Sequence, residues 1–399
     1  MAVSVAGRGV TFARGFTAGA VAAGVKHGVA DRLDVALLVA ERPCVAAAAF
    51  TRNQVIAAPC VVTRRHVAKG PLRGVVVNSG NANACTGDQG ERDAATMAAA
   101  AAKAIGARAE EVAVASTGVI GIPLPVDRIS GSIPRIRPTV EGWDDFSRAI
   151  MTTDTHPKVA EREVWLRGTP VRIGGVAKGA GMIHPDMATL LAFVTTDARL
   201  DAAAADRALR AAVDASFNAI SVDGDTSTND TALLLASGAS GIAVEGDAWD
   251  PFVDALTDVC GELARAIVAD GEGATKLFEV RVRGAATASD ARLAARTITT
   301  SNLVKTAIHG ADPNWGRILA AAGRSGARLD PRRASVRIGG TDVFSRGAPT
   351  EWDAAQVRAA FERSTIEIEV DLGVGDATAK AWGCDLSAEY VHINADYTT

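Results

Sequence analysis

Two textures alternate along this chain. Short Val- and Ile-rich runs bounded by glycine predict strands, and longer alanine-rich runs with spaced charges predict helices. "GVVVNSGNANACTG" reads as a strand entering a polar, glycine-rich loop, and "GERDAATMAAAAAKAIG" then predicts a helix closed by Gly106. "EEVAVASTGVIGIPLP" repeats the strand-then-loop theme, with Thr117 and Gly118 expected at the turn. "VEGWDDFSRAIMTTDTHP" reads as helical up to Pro157, and "EVWLRGTPVRIGGVAKGAGMI" as a hairpin of two strands.

The second half continues the alternation: the strand "TLLAFVTT", the helix "DAAAADRALRAAVDASF", the loop "SVDGDTSTND" and the strand "TALLLAS". Near residue 280 the order changes. From "FEVRVRG" onward a helix, strands and a hairpin resemble a smaller second domain that ends in "YVHINADYTT". No Pro/Ser linker, internal repeat or low-complexity tract separates the parts, so they are expected to pack as one body.

One junction breaks the pattern. In "KGAGMIHPDMATLLAF", Lys178 to Phe193, a loose glycine-rich run meets a continuous apolar segment at a single Ala-Thr bond. We read Ala188-Thr189 as a bond the protein cuts in itself.

Composition narrows the classes. With 48% hydrophobic residues but only 5% aromatic, the core must be built from Ala, Val, Leu and Ile. A net charge of -4 supplies no basic field for nucleic acid or an acidic membrane. Five cysteines, odd in number and never in a C-x-x-C pair, suggest neither a disulfide framework nor a thiolate zinc site and suit a reducing cytoplasm. The N-terminus "MAVSVAGRGVTFARGF" has no long apolar core of an export signal, and no later run reaches the roughly 18 apolar residues of a membrane span.

Common catalytic signatures fail. There is no Gly-Lys dipeptide for a phosphate loop, no G-x-S-x-G elbow and no H-E-x-x-H pair. "DGDTSTN" at Asp223 to Asn229 imitates the start of a calcium loop, but Thr228 and Leu234 stand where glycine and a bidentate glutamate belong, so no metal is expected. Histidines are dispersed, and His184 in "IHPD" and His309 in "HGADPNWG" read as turn residues beside a core. "DPNWGRILAAAG" predicts a helix with Asp312 as its cap and Pro313 in its first turn.

Thr189 itself has two readings. A β-branched residue opening a strand needs no further explanation. A chain-terminal threonine, however, carries its own base, because an α-amine has a pKa of about 7.7 to 8.0 and can relieve the hydroxyl of its proton. To reach the terminus, the Thr189 hydroxyl would attack the Ala188 carbonyl and pass through an ester that water opens. Gly179 and Gly181 would allow the unusual backbone this requires.

The whole chain resembles the ArgJ family, the ornithine (glutamate N-) acetyltransferases of arginine biosynthesis. The resemblance is carried by "NSGNANACTG", "ASTGVIG", "TTDTHPK", "KGAGMIHPDMATLLAF", "SVDGDTSTNDT", "DGEGATK", "HGADPNWGRI" and "INADYTT". It implies an α/β fold, a four-layer α-β-β-α sandwich similar to N-terminal-nucleophile enzymes, with a smaller C-terminal α+β domain. It also implies cleavage into an α chain, 1–188, and a β chain, 189–399. Residues 189–279 would complete the sandwich and 280–399 form the smaller domain, with two copies of each chain assembling.

The implied reaction moves acetyl from N-acetylornithine to glutamate through an acetyl-threonine ester, with ping-pong kinetics. No cofactor is implied, acetyl-CoA being left open as a second donor. Thr189 would be the nucleophile and Thr117 with Gly118 the oxyanion hole. Lys178 would take the substrate α-carboxylate and Glu272 the side-chain ammonium, with Thr155, Asn394 and the terminal Thr399 as further contacts. Two other readings stay open at this stage: an amidohydrolase or aminopeptidase using the same threonine, and a non-catalytic amino-acid-binding protein.

Overall fold

The structure is a computed structural model and describes residues 8–26, 31–184 and 190–396. The first half supplies β1 (Phe16–Val21), β2 (Val35–Phe50), α1 (Ala58–Lys69), β3 (Leu72–Asn81), α2 (Gly87–Ile105) and β4 (Val112–Val119). It continues with α3 (Val126–Ser132), α4 (Trp143–Ala149), β5 (Lys158–Leu166) and β6 (Thr169–Lys178). The second half supplies β7 (Leu191–Thr196), α5 (Ala202–Ala215), β8 (Ile220–Ser221), β9 (Thr231–Ala236), α6 (Trp249–Ala269), β10 (Leu277–Ala285) and α7 (Ala288–Thr299). It closes with α8 (Asn302–His309), α9 (Trp315–Gly323), β11 (Ser335–Ile338), β12 (Thr341–Ser345), β13 (Ala348–Pro349), α10 (Ala354–Ala360), β14 (Thr365–Asp371), β15 (Ala377–Cys384) and α11 (Ala388–Asp396).

The long strand β2 organises the main body. Its first part pairs with β1 and β3, its register slips between Val39 and Cys44, and its last part, Val45 to Phe50, pairs with β9. Such an irregularity bends a strand and raises its twist. One hydrogen-bonded path, β4-β3-β2-β9-β7-β6-β5, is thereby folded into two facing layers.

Side-chain alternation fills the space between and outside them. Leu191 and Phe193 of β7 join Phe16, Leu38, Val75 and Val77 in the core between the layers. Ala192 and Val194 point the other way, with Leu209 of α5 and Leu263 of α6. On the opposite outer face, Val76, Val112 and Val114 meet Met97, Ala98 and Ala101 of α2. The result is the four-layer α-β-β-α sandwich. Alanine on the inward face of α2 lets that helix lie close to the sheet, and Gly106, at φ 67°, ends it with its N–H on Ala102 O.

A second sheet has the order β13-β12-β11-β14-β10-β15-β8. Its edge strand β8 comes from the segment between α5 and β9, pairing Ile220 with Trp382. Trp382 and Cys384 belong to the core of the main body, so the two sheets are joined through shared packing.

Three local expectations change. The predicted helix through Pro157 stops at Ala149, because Asp154 accepts from the Thr152 N–H at 3.0 Å and the Gly179 N–H at 2.6 Å and so holds the segment as a loop. Thr117 and Gly118 lie within β4, since pairing continues through Ser79 with Thr117 and Gly80 with Gly118. The cap of α9 is Asn314, whose side chain accepts from the Arg317 N–H at 3.1 Å; Asp312 instead accepts from the Asn314 amide at 3.0 Å. Among the described residues no helix is long and apolar enough to cross a membrane.

Candidate functional site

A cavity of about 140 Å³ opens where β4 and β6 end, lined by Thr117, Gly118, Lys178, Gly181, Glu272 and Asn394 among others. Gly118 is there for a steric reason. At φ 135° its backbone crosses β3 so closely that an added Cβ would lie 2.3 Å from the Gly80 carbonyl carbon. The last residues of β4 therefore expose Thr117 and Gly118 to the cavity.

Lys178 is the last residue of β6 and only 7% exposed. Its ammonium donates to Thr117 Oγ1 at 3.2 Å. Burial pushes the lysine pKa below its usual value, opposed chiefly by Asp154 and then by Glu272 and Asp230. With its oxygen taken by Lys178, the Thr117 hydroxyl keeps its proton for another acceptor.

The same cavity also carries acceptors. Gly181 lets Glu272 approach, since a Cβ there would fall 2.4 Å from the Glu272 carboxyl carbon. The Glu272 N–H donates to Ala180 O at 2.8 Å. Asn394 on α11 donates from Nδ2 to Glu272 Oε2 at 2.8 Å and to Tyr390 O at 3.0 Å, which leaves its carbonyl oxygen as an acceptor. A cation donor and a carboxylate with an amide oxygen lining one cavity suit a ligand that carries both charges.

Thr155 is not among the cavity-lining residues; Thr152 and Thr153 are. The Thr155 hydroxyl donates to Asp270 Oδ1, and its N–H donates to Asp270 Oδ2 at 2.9 Å. Ala188, Thr189 and Thr399 lie outside the described residues. The Leu190 carbonyl accepts from the Thr231 N–H at 3.0 Å at the head of the β7–β9 pairing. Of the two glycines expected to allow unusual backbone, Gly179 does so at φ 155° and Gly181 has no positive φ, while Met182, at φ 56°, is a left-handed position that sequence did not suggest.

Further polar residues were missed. Lys158 is fully sequestered between Asp154 Oδ1 at 2.6 Å and Asp270 Oδ2 at 2.5 Å. Its spacing from Asp154 was visible in "TTDTHPK", but Asp270 lies 112 residues on. Asp230 is 1% exposed, neither of its carboxyl oxygens has a hydrogen-bond partner among the described residues, and burial pushes its pKa well above the carboxylate range. The Thr51 hydroxyl beside it donates to Ser227 O at 2.6 Å instead. Asp223 of the calcium-like run accepts from the Met182 and Ile183 N–H groups at 2.5 and 2.9 Å. No group of three or more His, Cys, Asp or Glu suited to a metal occurs among the described residues.

The fold is thus a four-layer α/β sandwich with a polar cleft at its strand ends. The ArgJ family model matches residues 17–399, and the chain belongs to that family. It is 52% identical over 396 residues to the arginine biosynthesis bifunctional protein ArgJ of Symbiobacterium thermophilum, covering 98% of each chain. The protein of that name from Deinococcus radiodurans is 50% identical over 393 residues, again with 98% of each chain covered. A solved ArgJ chain from Bacillus halodurans is 44% identical with a TM-score of 0.50, spanning 98% of its own length and 51% of this one.

Proposed function

We propose that this protein is a self-cleaved acetyltransferase that moves acetyl from N-acetylornithine to glutamate, with Thr189 as nucleophile. The observation that carries the reading is the Thr117 hydroxyl, whose oxygen accepts from Lys178 beside the Gly118 backbone, lining one cavity with the acceptor pair Glu272 and Asn394. Family membership and relatives named for arginine biosynthesis support it.

In the first half-reaction Thr189 Oγ bonds to the acetyl carbon while the α-amine of Thr189 takes the hydroxyl proton. Thr117 and the Gly118 N–H stabilise the oxyanion. The C–N bond then breaks, the proton passes to the departing amine, and ornithine leaves an acetyl ester on Thr189. Glutamate's amine attacks that ester in the second half, giving N-acetylglutamate and restoring the hydroxyl. Lys178 pairs with the α-carboxylate of either substrate, and Glu272 with the ornithine ammonium, assisted by Asn394 and the Thr399 carboxylate.

The α-amine exists only after the Ala188-Thr189 bond is cut, giving chains 1–188 and 189–399. A solved relative that uses nearly all of its own length yet spans half of this chain supports such a division. We further propose assembly of two copies of each chain in the cytoplasm.

Intact mass under denaturing conditions, with N-terminal sequencing, tests the reading. Two fragments, one beginning Thr-Leu-Leu-Ala-Phe, together with acetyl transfer from acetylornithine to glutamate, are expected. An uncut chain stable on incubation would sink it, and free acetate without acetylglutamate would make the protein a hydrolase.

A further inference from the structure

Behind the cavity wall runs a row of buried charges of alternating sign. Asp270 Oδ2 accepts from Lys158 Nζ at 2.5 Å, and Lys158 Nζ also donates to Asp154 Oδ1 at 2.6 Å. Asp154 is in turn the leading charge that favours the ammonium of Lys178, which donates to Thr117 Oγ1 at 3.2 Å. Exposures are 7% for Asp270, 1% for Lys158, 8% for Asp154 and 7% for Lys178, so water screens little of this row.

Its members come from separate parts of the chain. Asp154 lies in the loop before β5, Lys158 opens β5, Lys178 closes β6, and Asp270 follows α6. Asp154 does double duty in this row. Its Oδ1 also accepts from the Gly179 N–H at 2.6 Å, and its Oδ2 from the Thr152 N–H at 3.0 Å. It therefore fixes the backbone next to Lys178 as well as facing the lysine's charge.

We propose that Asp154 is a positioning residue for the oxyanion hole: through the Gly179 N–H it holds the backbone at Lys178 in place, and Lys178, by occupying the lone pair of Thr117, aims the Thr117 proton at the developing oxyanion. The inference rests on the proposed transfer reaction and adds to it a role for Lys178 distinct from substrate binding. Thr117 has one proton and needs a fixed acceptor contact to keep that proton directed. A cation on its oxygen also makes the hydroxyl a stronger donor.

The charge balance around Lys178 allows a readout. Asp154, Glu272 and Asp230 favour its ammonium, while Lys158 and burial disfavour it. Asp154 itself is held at about 2: burial would raise it, but Lys178 and Lys158 outweigh burial. Replacing Asp154 by asparagine removes the leading favourable charge, so Lys178 loses its proton at lower pH.

Two measurements on Asp154→Asn test the proposal. In steady-state transfer by the self-cleaved enzyme, kcat should fall about tenfold or more, a modest share of what losing one oxyanion donor costs. KM for glutamate should rise as well, because Lys178 also pairs with its α-carboxylate, the alkaline limb of kcat should move to lower pH, and Asp154→Glu should recover part of the rate. A merely structural role would not move that limb. Separately, ¹³C NMR titration of lysine Cε, with Lys178→Met to assign the resonance, should show Lys178 titrating lower in Asp154→Asn.

Wild-type kcat and an unmoved limb, or a loss confined to KM, would overturn the proposal. If Asp154→Asn does not fold, Lys178→Arg decides: its alkaline limb should move up or disappear, and a limb at the wild-type position would overturn the idea. A wild-type enzyme without acetyl exchange would instead defeat the proposed function, while the NMR titration would still report on the Asp154–Lys178 link.

Discussion

Single atoms decide much of this site. Gly118 combines φ 135° with a backbone contact that leaves no room for a Cβ. Gly118→Ala should therefore lose roughly 2 kcal/mol or more of stability, since left-handed strain alone costs about 1 to 3 kcal/mol and the clash adds to it. Chemical denaturation checks the loss; an alanine variant with an unchanged midpoint would mean that β3 and β4 can part without cost. Asp223 offers a pH test. Burial raises its pKa to about 6 from an ordinary 3.8, even though it accepts three backbone N–H bonds. The folded state then holds a proton that the unfolded state has released, so this group's contribution to stability falls as pH rises from about 4 to about 6. Asp223→Asn should flatten that part of the stability curve, read by thermal unfolding at several pH values; an identical slope would place the titration elsewhere.

Elements carry the next level. Strand β7 serves both sides of its sheet, because Leu191 and Phe193 face the inter-layer core while Ala192 and Val194 face α5 and α6. Phe193 is 1% exposed and meets Phe146 edge to face, with ring centroids 5.5 Å apart. Phe193→Ala should cost about 3 to 5 kcal/mol, visible in urea unfolding, because the two layers cannot both close on the space left. A cost below about 1 kcal/mol would mean that this core repacks freely. The same strand carries the chain on from Leu190, so its rigidity holds one side of the proposed cleavage junction in register with β9. The continuous apolar run was readable as a buried strand, yet its register against β6 and β9 was not, since both partners are equally apolar.

At the scale of the molecule, the proposed reaction links covalent state to activity. Thr189→Ala should remain one chain of about 41 kDa and lose transferase activity by several orders of magnitude, while Thr189→Ser should keep part of both cleavage and transfer. Denaturing mass spectrometry with an acetyl-exchange assay checks this, and a fully active alanine variant would remove Thr189 from the mechanism.

The molecule also separates what is local from what is not. The chain by itself determined many of the helices and strands, the helix stop at Gly106, the hairpin of β5 and β6, and the candidates Thr117, Gly118, Lys178, Glu272 and Asn394 through family-like motifs. Periodicity, caps and short motifs act over a few residues, so they are legible one segment at a time. Tertiary structure alone decided that β2 bends to serve two layers, that β8 joins the second sheet, and that Thr155 is tied to Asp270. It also brought Asp154, Lys158, Lys178 and Asp270 into one buried row. Buried charges are tolerable only when they find partners, and partners 112 residues apart become neighbours only when the layers close.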